Sequence, residues 1–444
     1  MLPTQTAPVP SDPAEVRRVA HTRLRRRLLY SEHEQDLIDL MARQLGNVRR
    51  EAWGRPDLTA NPYLSLWDQA SRLYAEEPAV EHPEAAGLEL LDRVADAGLW
   101  PLMQRVQRDT LALREMVLRV DVVGDGLVFR PVFPDLVEAR ATARRPGVPH
   151  TLAEWSHLDG FGWVRLEASI DASPYYRATT RDGVDVSEDV LGGAYEGDSY
   201  PVRDAAGAPV LPYVIHHAAV SGWLWDPFAL REIVEGSLNL GLYLSFFGHI
   251  LLRASWPQRY AAGVVIQGRR AETEGGAASA REEVTTDPAM LLTMAVAEDA
   301  GQPIVGQWGP AADPEVVFRA VAQYERRLLL MAGLAPPDVT RQQADIRSGY
   351  SLAVHRESVR EQQRLYEPIF READLATIRL AAVLLNSTTG TAYPEGGYSI
   401  TYRGLAPSPV EDAAKREHVL AMLDRGVVTV EEARAALAPL IARL

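Results

Sequence analysis

The chain has 444 residues and a mass of 49.0 kDa, which suffices for two to four packed units at roughly 100–200 residues each. Its composition, 47% hydrophobic and 24% charged, is that of a globular protein and excludes a disordered or fibrous chain. The sequence has no cysteine, so disulfide frameworks, thiolate catalysis and cysteine-ligated zinc are excluded.

The charge balance is acidic, with 60 acidic against 46 basic residues and a net charge of -14. Such a surplus repels nucleic acid over most of the surface, so any contact with DNA must be local or weak. Lys415 is the sole lysine and follows Ala414, which excludes the Gly-Lys-Ser/Thr phosphate loop. We find no catalytic constellation and no metal-ligand spacing, and we expect a protein that is not an enzyme and has no cofactor.

The first quarter of the chain is predicted to be helical. Residues 1–13 hold four prolines and indicate a flexible tail. Apolar residues at helical spacing then predict helices over 14–30, 32–53 and 63–74, with two more ending near Val117. The first helix carries the basic run Arg17–Arg27, which is typical of the solvent-exposed face of an amphipathic helix and lacks the apolar core of a signal peptide.

The middle of the chain is predicted to be β-rich. From Leu118 the apolar period changes to two, and Gly124-Asp125-Gly126 supplies the turn of a hairpin. Further strands are predicted over 161–170, 175–180 and 212–217. The last of these ends in His216 and His217, which fit strand-end residues better than metal ligands because neighbours on a strand face opposite sides.

Helical signals return at Asp226-Pro227, a cap followed by proline, and predict a helix that runs to about Ala254. Residues 257–311 are predicted to form short strands and a polar loop. A second helix is predicted to begin at Asp313-Pro314 and to stop at Gly333.

The remainder is predicted to be an exposed loop over 335–350, a long helix over 351–385 that contains Pro368, and one strand (YSITYRG). A helical pair then spans 409–444, hinged at Arg425-Gly426, with Thr429 as the cap of its second helix. Taken together, these elements predict an α+β fold that is mainly helical.

The apolar stretch 236–252 (GSLNLGLYLSFFGHILL) allows two interpretations. It lies between Glu235 and Arg253 and is at the lower edge of the length that spans a bilayer, for which about 20 residues are needed. Asn239, His249 and three glycines make it a poor lipid-facing helix, so a buried or subunit-facing helix is favoured over a membrane anchor.

The order of elements in the second half resembles the portal protein, or head-to-tail connector, of tailed bacteriophages. Residues 312–334 (ADPEVVFRAVAQYERRLLLMAGL) and the following APPDVTRQQADIRSGYSLAVHRESVREQQRLYEPIF resemble the family's helix, tunnel loop, Ser-Gly and long helix. Residues 421–437 (AMLDRGVVTVEEARAAL) are similar to its C-terminal pattern. The resemblance implies a homo-oligomeric ring, usually a dodecamer, at one capsid vertex, through which the genome enters and leaves.

The resemblance also implies a division of the chain. In the order of the chain, the expected parts are the flexible tail 1–13, the wing 14–225, a stem helix 226–256, the clip 257–311, a stem helix 312–334, the tunnel loop 335–350, the long helix and strand of the wing 351–404, and a short crown 405–444.

Site residues and partners follow from the same resemblance. The tunnel loop offers Arg341, Gln342, Gln343 and Arg347 to double-stranded DNA without sequence specificity, with contact to neighbouring loops as the alternative. Arg269 and Arg270 of the clip are expected to contact partners. The implied partners are the terminase large subunit, a head-tail adaptor, and capsid and scaffold proteins, in the virion and, during assembly, in the host cytoplasm.

Three questions stay open at this point. The first is whether the basic run of the first helix contacts packaged DNA or a scaffold protein. A membrane-associated protein anchored by residues 236–252 would require detergent for extraction. An unrecognised hydrolase would hold two carboxylates without partners in a deep pocket.

Overall fold

The computed structural model describes Pro8, Pro10 and residues 12–45, 55–59, 61–227, 229–255, 258–262, 264–266, 294–296, 304–308, 313–333, 357–403 and 409–441. Helices and sheets are both present, so the predicted α+β class is confirmed. The chain divides into two compact units. The first comprises residues 1–33, 61–237 and 328–444, and the second comprises residues 34–60 and 238–327.

Five helices are described in the N-terminal part of the chain, and two of them begin with a side-chain cap. The five are α1 Pro13–Leu29, α2 Glu34–Leu45, α3 Pro62–Ala70, α4 Ala85–Asp96 and α5 Leu99–Leu113. Asp12 caps α1 by accepting the Ala14 N–H at 2.9 Å, and Asn61 caps α3 by accepting the Leu64 N–H at 3.1 Å. Each cap satisfies a donor that the first helical turn leaves free.

The arginines of α1 do not form a solvent-exposed face, so that prediction is wrong. The Arg18 guanidinium is buried and donates to the carbonyl oxygens of residues 134 and 137 at 2.7 and 2.6 Å. Arg23 and Arg26 form ion pairs with the buried Asp135, at 3.4 and 2.8 Å. The arginines thus attach α1 to residues 134–137 of the same chain. Asp135 needs these partners, because a buried carboxylate is stable only when it is paired.

The predicted hairpin is confirmed and belongs to a three-stranded antiparallel sheet. Its strands are β2 Glu115–Val123, β3 Gly126–Val132 and β9 Tyr213–His217, in the order β3-β2-β9. Gly124 takes φ +66 in the turn, a left-handed conformation that favours glycine. His216 and His217 lie at the end of β9, as the sequence indicated.

A second sheet has five antiparallel strands in chain order. They are β4 Val137–Thr142, β5 Arg145–Leu158, β6 Gly162–Ser169, β7 Tyr175–Thr180 and β8 Tyr195–Glu196, with the short helix α6 Ser187–Leu191 before β8. The sequence predicted β6 and β7 but missed β4, β5 and β8. The strand β5 buries the consecutive residues 151–154, so it lacks the period-two pattern of a half-buried strand.

The helix α9 Glu357–Thr389 is the core element of the first unit. It packs against β2 and β9, and its residues Ile378, Ala381, Ala382 and Leu385 are fully buried. Pro368 lies inside the helix, and the helix ends four residues beyond the predicted Leu385. The predicted strand near residue 400 is β14 Ser399–Thr401, which pairs with β1 Ala79–Glu81.

The second unit is built around α2, the larger part of α7 Arg231–Ser255 and the larger part of α8 Pro314–Met331. Short strands lie between α7 and α8, as predicted. They pair as β10 Gln258–Ala262 with β13 Ile304–Trp308 and as β11 Val264–Ile266 with β12 Met294–Val296. The predicted cap of α8 is confirmed, because the Asp313 carboxylate accepts the Glu315 N–H at 2.9 Å.

The helix α7 begins at Arg231, and the predicted start at Asp226-Pro227 is wrong. Leu230 takes φ +58, a left-handed conformation that is not helical, directly before the first turn. The backbone N–H of Asp226 donates to Glu115 at 2.7 Å. Tertiary contacts therefore override a local capping signal at this point.

The C-terminal pair consists of α10 Pro409–Asp424 and α11 Val430–Ile441, and its predicted turn is confirmed. Gly426 takes φ +67 between the helices. Thr429 and Glu432 cap α11 reciprocally, with the Glu432 carboxylate accepting the Thr429 N–H at 2.8 Å and the Thr429 hydroxyl accepting the Glu432 N–H at 3.3 Å. This is the capping box that the sequence indicated.

Candidate functional site

Within the second unit, α7 and α8 run antiparallel and touch through aromatic rings. Tyr243 meets Tyr324 edge-on, with ring centroids 5.4 Å apart at 84°. One turn along α7, Phe247 meets Phe318 with centroids 5.8 Å apart. These pairs fix the register of the two helices, because aromatic contacts of this geometry are favourable beyond the area that they bury.

A further side of α7 packs against residues of α2 and the segment that follows it. Gly241 lies so close to Leu37 that an added Cβ would stand 3.1 Å from the leucine Cδ1. The Ser245 hydroxyl accepts the Asp57 N–H at 2.8 Å and donates to the Gly241 carbonyl oxygen at 2.8 Å. Small residues thus line the side of α7 that faces its own unit.

The remaining surface of this helix pair is largely apolar and partly exposed. Residues 244–250 of α7 are all only half-buried, although no Asp, Glu, Lys or Arg stands between Glu235 and Arg253. Tyr243 is 40% exposed and Phe318 of α8 is 56% exposed. We call this surface, residues 243–251 with 316 and 318, the apolar helix face. Contiguous exposed apolar surface of this kind marks sites of protein association.

Among the described residues, no helix combines the length and the apolar character that crossing a bilayer demands.

In the first unit, buried charged groups fix the segment that leads into α7. Arg25 of α1 is 2% exposed and donates to the carbonyl oxygens of Leu113 and Ala229. Glu115 accepts the Asp226 N–H. These hydrogen bonds join α1, the start of β2 and the segment before α7. Buried charged groups require such partners.

The Glu115 carboxyl has an unusual acidity. Burial raises its pKa to about 7, against the opposing effects of the hydrogen bond from Asp226 and of the nearby Arg25 and Arg114. Desolvation outweighs these partners because the side chain is almost completely buried. The group therefore changes protonation near neutral pH inside the core.

A second buried polar cluster centres on Asp374 of α9. One carboxylate oxygen accepts the hydroxyls of Tyr74 and Tyr402, at 2.7 and 2.6 Å. The other oxygen lies 3.6 Å from His216 Nε2 of β9. All four side chains are buried, and burial together with the Asp374 carboxylate raises the pKa of both tyrosines. The cluster ties α9 to β9 and to two segments distant in sequence.

The residues that the resemblance singled out lie outside the described residues. They are Arg341, Gln342, Gln343 and Arg347 of the predicted tunnel loop and Arg269 and Arg270 of the predicted clip. Their assignments stay predictions.

Sequence reasoning did not single out Glu115 or Asp374, nor the hydroxyl partners Tyr74 and Tyr402. The one available signal was a charged residue within an apolar stretch, as at Asp374 in ADLATIRLAAVLL. Its partners Tyr74 and Tyr402 are separated from it by 300 and 28 residues in the sequence. Hydrophobic periodicity describes neighbours within one element and does not predict such contacts.

The chain was compared with protein families, curated proteins and solved structures. No family model matches it, and no curated protein matches it. A solved structure entitled "Virion of native gene transfer agent (GTA) particle" is similar over 87% of this chain and 95% of that chain, with 16% sequence identity and a TM-score of 0.39. That score does not establish a shared fold, so the similarity carries no functional conclusion.

Proposed function

We propose that the chain is a subunit of a portal ring of a phage-like virion, a conduit for DNA and a docking platform at one vertex of the capsid. The proposal rests on the apolar helix face and on the order of the elements around it. A helix, an excursion with short strands, a returning helix and a very long helix follow one another in the described chain.

The apolar helix face is the observation that carries the proposal. A helix whose central residues include no Asp, Glu, Lys or Arg is normally buried on all sides, yet here residues 244–250 each stay partly exposed among the described residues. Neighbouring copies packed side by side would cover this surface. A closed ring of identical subunits is one arrangement that buries such a surface on every copy.

The acidic charge suits a conduit. With a net charge of -14 on each copy, a ring concentrates negative charge around its bore and weakens adhesion of the DNA phosphates, so that the duplex slides. Basic side chains that contact the DNA are then needed only at one level along the channel. We assign that role to Arg341, Gln342, Gln343 and Arg347.

The excursion between α7 and α8 is proposed as the surface for the packaging motor and the tail. Arg269 and Arg270 would contact the terminase large subunit during assembly and a head-tail adaptor afterwards. Other surfaces of the ring would meet capsid and scaffold proteins. ATP hydrolysis would come from the motor, since the chain lacks a phosphate loop.

The mass of the purified full chain tests the proposal. Native mass spectrometry is expected to show a closed oligomer, of about 590 kDa for twelve copies of 49.0 kDa. As a variant, Phe318→Asp places a charge on the apolar helix face and is expected to shift the population to smaller species. The matched control Arg319→Asp alters the neighbouring exposed residue of α8 and is expected to leave the oligomer intact. A wild-type chain that stays at 49.0 kDa at high concentration contradicts the proposal.

A further inference from the structure

The charges in the middle of the five-stranded sheet are paired with one another. Arg165 of β6 bonds Glu138 of β4 at 3.3 Å and also pairs with Glu167. Arg177 of β7 reaches Glu167 at 3.2 Å, and Tyr175 donates to it at 2.9 Å. Cross-strand pairs of this kind satisfy the charges of the sheet internally. The two edges of the sheet differ from this pattern.

The edge formed by β4 and the β4–β5 turn is basic. Residues 139–149 contain three arginines and no acidic residue. These are Arg140, Arg144 and Arg145, all exposed. None of the three side chains forms an ion pair or a hydrogen bond with any part of the chain that the structure describes. We call this surface the basic edge.

Exposed apolar side chains lie beside the basic edge. The turn packs against the loop before α7, where the Leu224 N–H donates to the Pro146 carbonyl oxygen at 3.1 Å. This contact leaves Val148, Val220 and Trp223 at the surface, with Trp223 65% exposed. Tryptophan and arginine are enriched in binding hot spots, and here an exposed tryptophan lies on a loop that bonds the turn carrying Arg144 and Arg145.

The opposite edge of the same sheet is acidic. Residues 182–198, which run from the end of β7 through α6 and β8, contain six acidic and no basic residues. Two arginines border this stretch: Arg181 precedes it and is exposed, and the Arg203 guanidinium donates to the Gly197 carbonyl oxygen at 2.7 Å. They are Asp182, Asp185, Glu188, Asp189, Glu196 and Asp198, all exposed. Val184 lies among them and is 59% exposed. None of the six carboxylates forms an ion pair with a described residue. We call this surface the acidic edge.

We propose that the basic edge of one copy docks on the acidic edge of a second copy of this chain, with Trp223 at the centre of the contact. The inference rests on the proposed function and deepens it, because it names the surfaces that join neighbouring subunits. Each edge has unpaired charge that is predominantly of one sign, together with exposed apolar residues, so the charges of the two edges are complementary.

The placement of the edges suits a ring. They lie on opposite sides of one sheet, about 19 Å apart for five strands spaced by about 4.8 Å. Two different patches in contact make a head-to-tail interface, which closes into a ring when the rotation between copies allows it. A two-fold dimer would instead require one patch that complements itself.

Charge reversal in the full chain tests the contact. The basic-edge variant carries Arg140→Glu, Arg144→Glu and Arg145→Glu. The acidic-edge variant carries Asp182→Arg, Glu188→Arg and Asp189→Arg, whose native side chains make no hydrogen bond to described residues. Each variant alone juxtaposes like charges, so the concentration needed for oligomer formation in sedimentation velocity is expected to rise by about tenfold or more.

The decisive variant combines all six reversals. Its edges are complementary again, so the oligomer is expected to return, and it should not form mixed oligomers with the wild-type chain. This restoration separates a lost contact from a folding defect. The control variant reverses Glu76, Glu77 and Glu81 to Arg, which are exposed and lie outside the five-stranded sheet, and it should assemble as the wild type does.

Three outcomes overturn the inference. Reversed variants that assemble like the wild type show that the edges are not in contact, and the ring then survives without this interface. Reversed variants that assemble normally but lose only DNA retention assign the basic edge to nucleic acid. A sixfold-reversed chain that fails to assemble while it remains folded by circular dichroism also contradicts the docking. A wild-type chain that is monomeric refutes the proposed function itself, and this result is distinguishable from the other three.

Discussion

Replacing Glu115 with glutamine should remove a pH dependence of stability that is built into the core of the first unit. Glutamine keeps a side-chain oxygen that accepts the Asp226 N–H, but it does not titrate. The pKa of Glu115 is raised by burial to about 7 from an ordinary 4.5. The folded chain therefore binds this proton more tightly than the unfolded chain does.

The sign and the size of the effect follow from this difference. A raised pKa contributes stability that is fully present below the unfolded value and is lost as the pH rises through the folded value. Between about pH 5 and about pH 8 the loss amounts to about 2.5 kcal/mol for this one group. The wild-type chain should lose that much unfolding free energy relative to Glu115→Gln over this interval.

Urea unfolding followed by tryptophan fluorescence measures the difference. Both chains are compared at one protein concentration, because oligomerisation makes apparent stability depend on concentration. Glu76→Gln, which removes an exposed carboxylate, serves as the control and should follow the wild-type profile. Parallel pH profiles for the wild type and Glu115→Gln would show that the buried carboxyl does not titrate near pH 7, and the reasoning would fail.

Three further predictions concern other parts of the chain. Tyr402→Phe removes a buried hydrogen bond to a carboxylate and should lower the unfolding free energy by about 2 kcal/mol in urea titrations. Gly236→Ala places a Cβ against a buried leucine and should lower the melting temperature, whereas Gly396→Ala, where the added carbon meets nothing within 4 Å, should not. Replacing Arg341 and Arg347 with alanine should leave ring mass unchanged and alter packaged-genome yield, and an unchanged yield would remove their assignment to DNA.

Local signals made part of the fold predictable. The hairpin turn at Gly124, the cap at Asp313 and the capping box at Thr429 each depend on a few neighbouring residues, and the structure confirms all three. The predictions that failed concern places where residues distant in the sequence determine the structure. Asp226 has the sequence of a cap, yet its N–H donates to the distant Glu115 and its carboxylate lies 3.8 Å from the Arg114 guanidinium, and the helix starts later.

The candidate sites were less accessible to sequence reasoning than the fold. Length and the absence of charge identified the helix over 236–252, but its partly exposed face required the packed structure. The sequence alone also did not show that the two edges of the five-stranded sheet carry opposite charge. Strand order places residues 140–145 and 182–198 on opposite sides of one sheet, and β4, β5 and β8 lack a clean alternating pattern.

Electron microscopy of the purified full chain, averaged in end-on views, tests the central claim most directly. The account predicts circular particles of equal subunits around an open centre wide enough for duplex DNA. Compact particles of one subunit, or assemblies without a central opening, would contradict it.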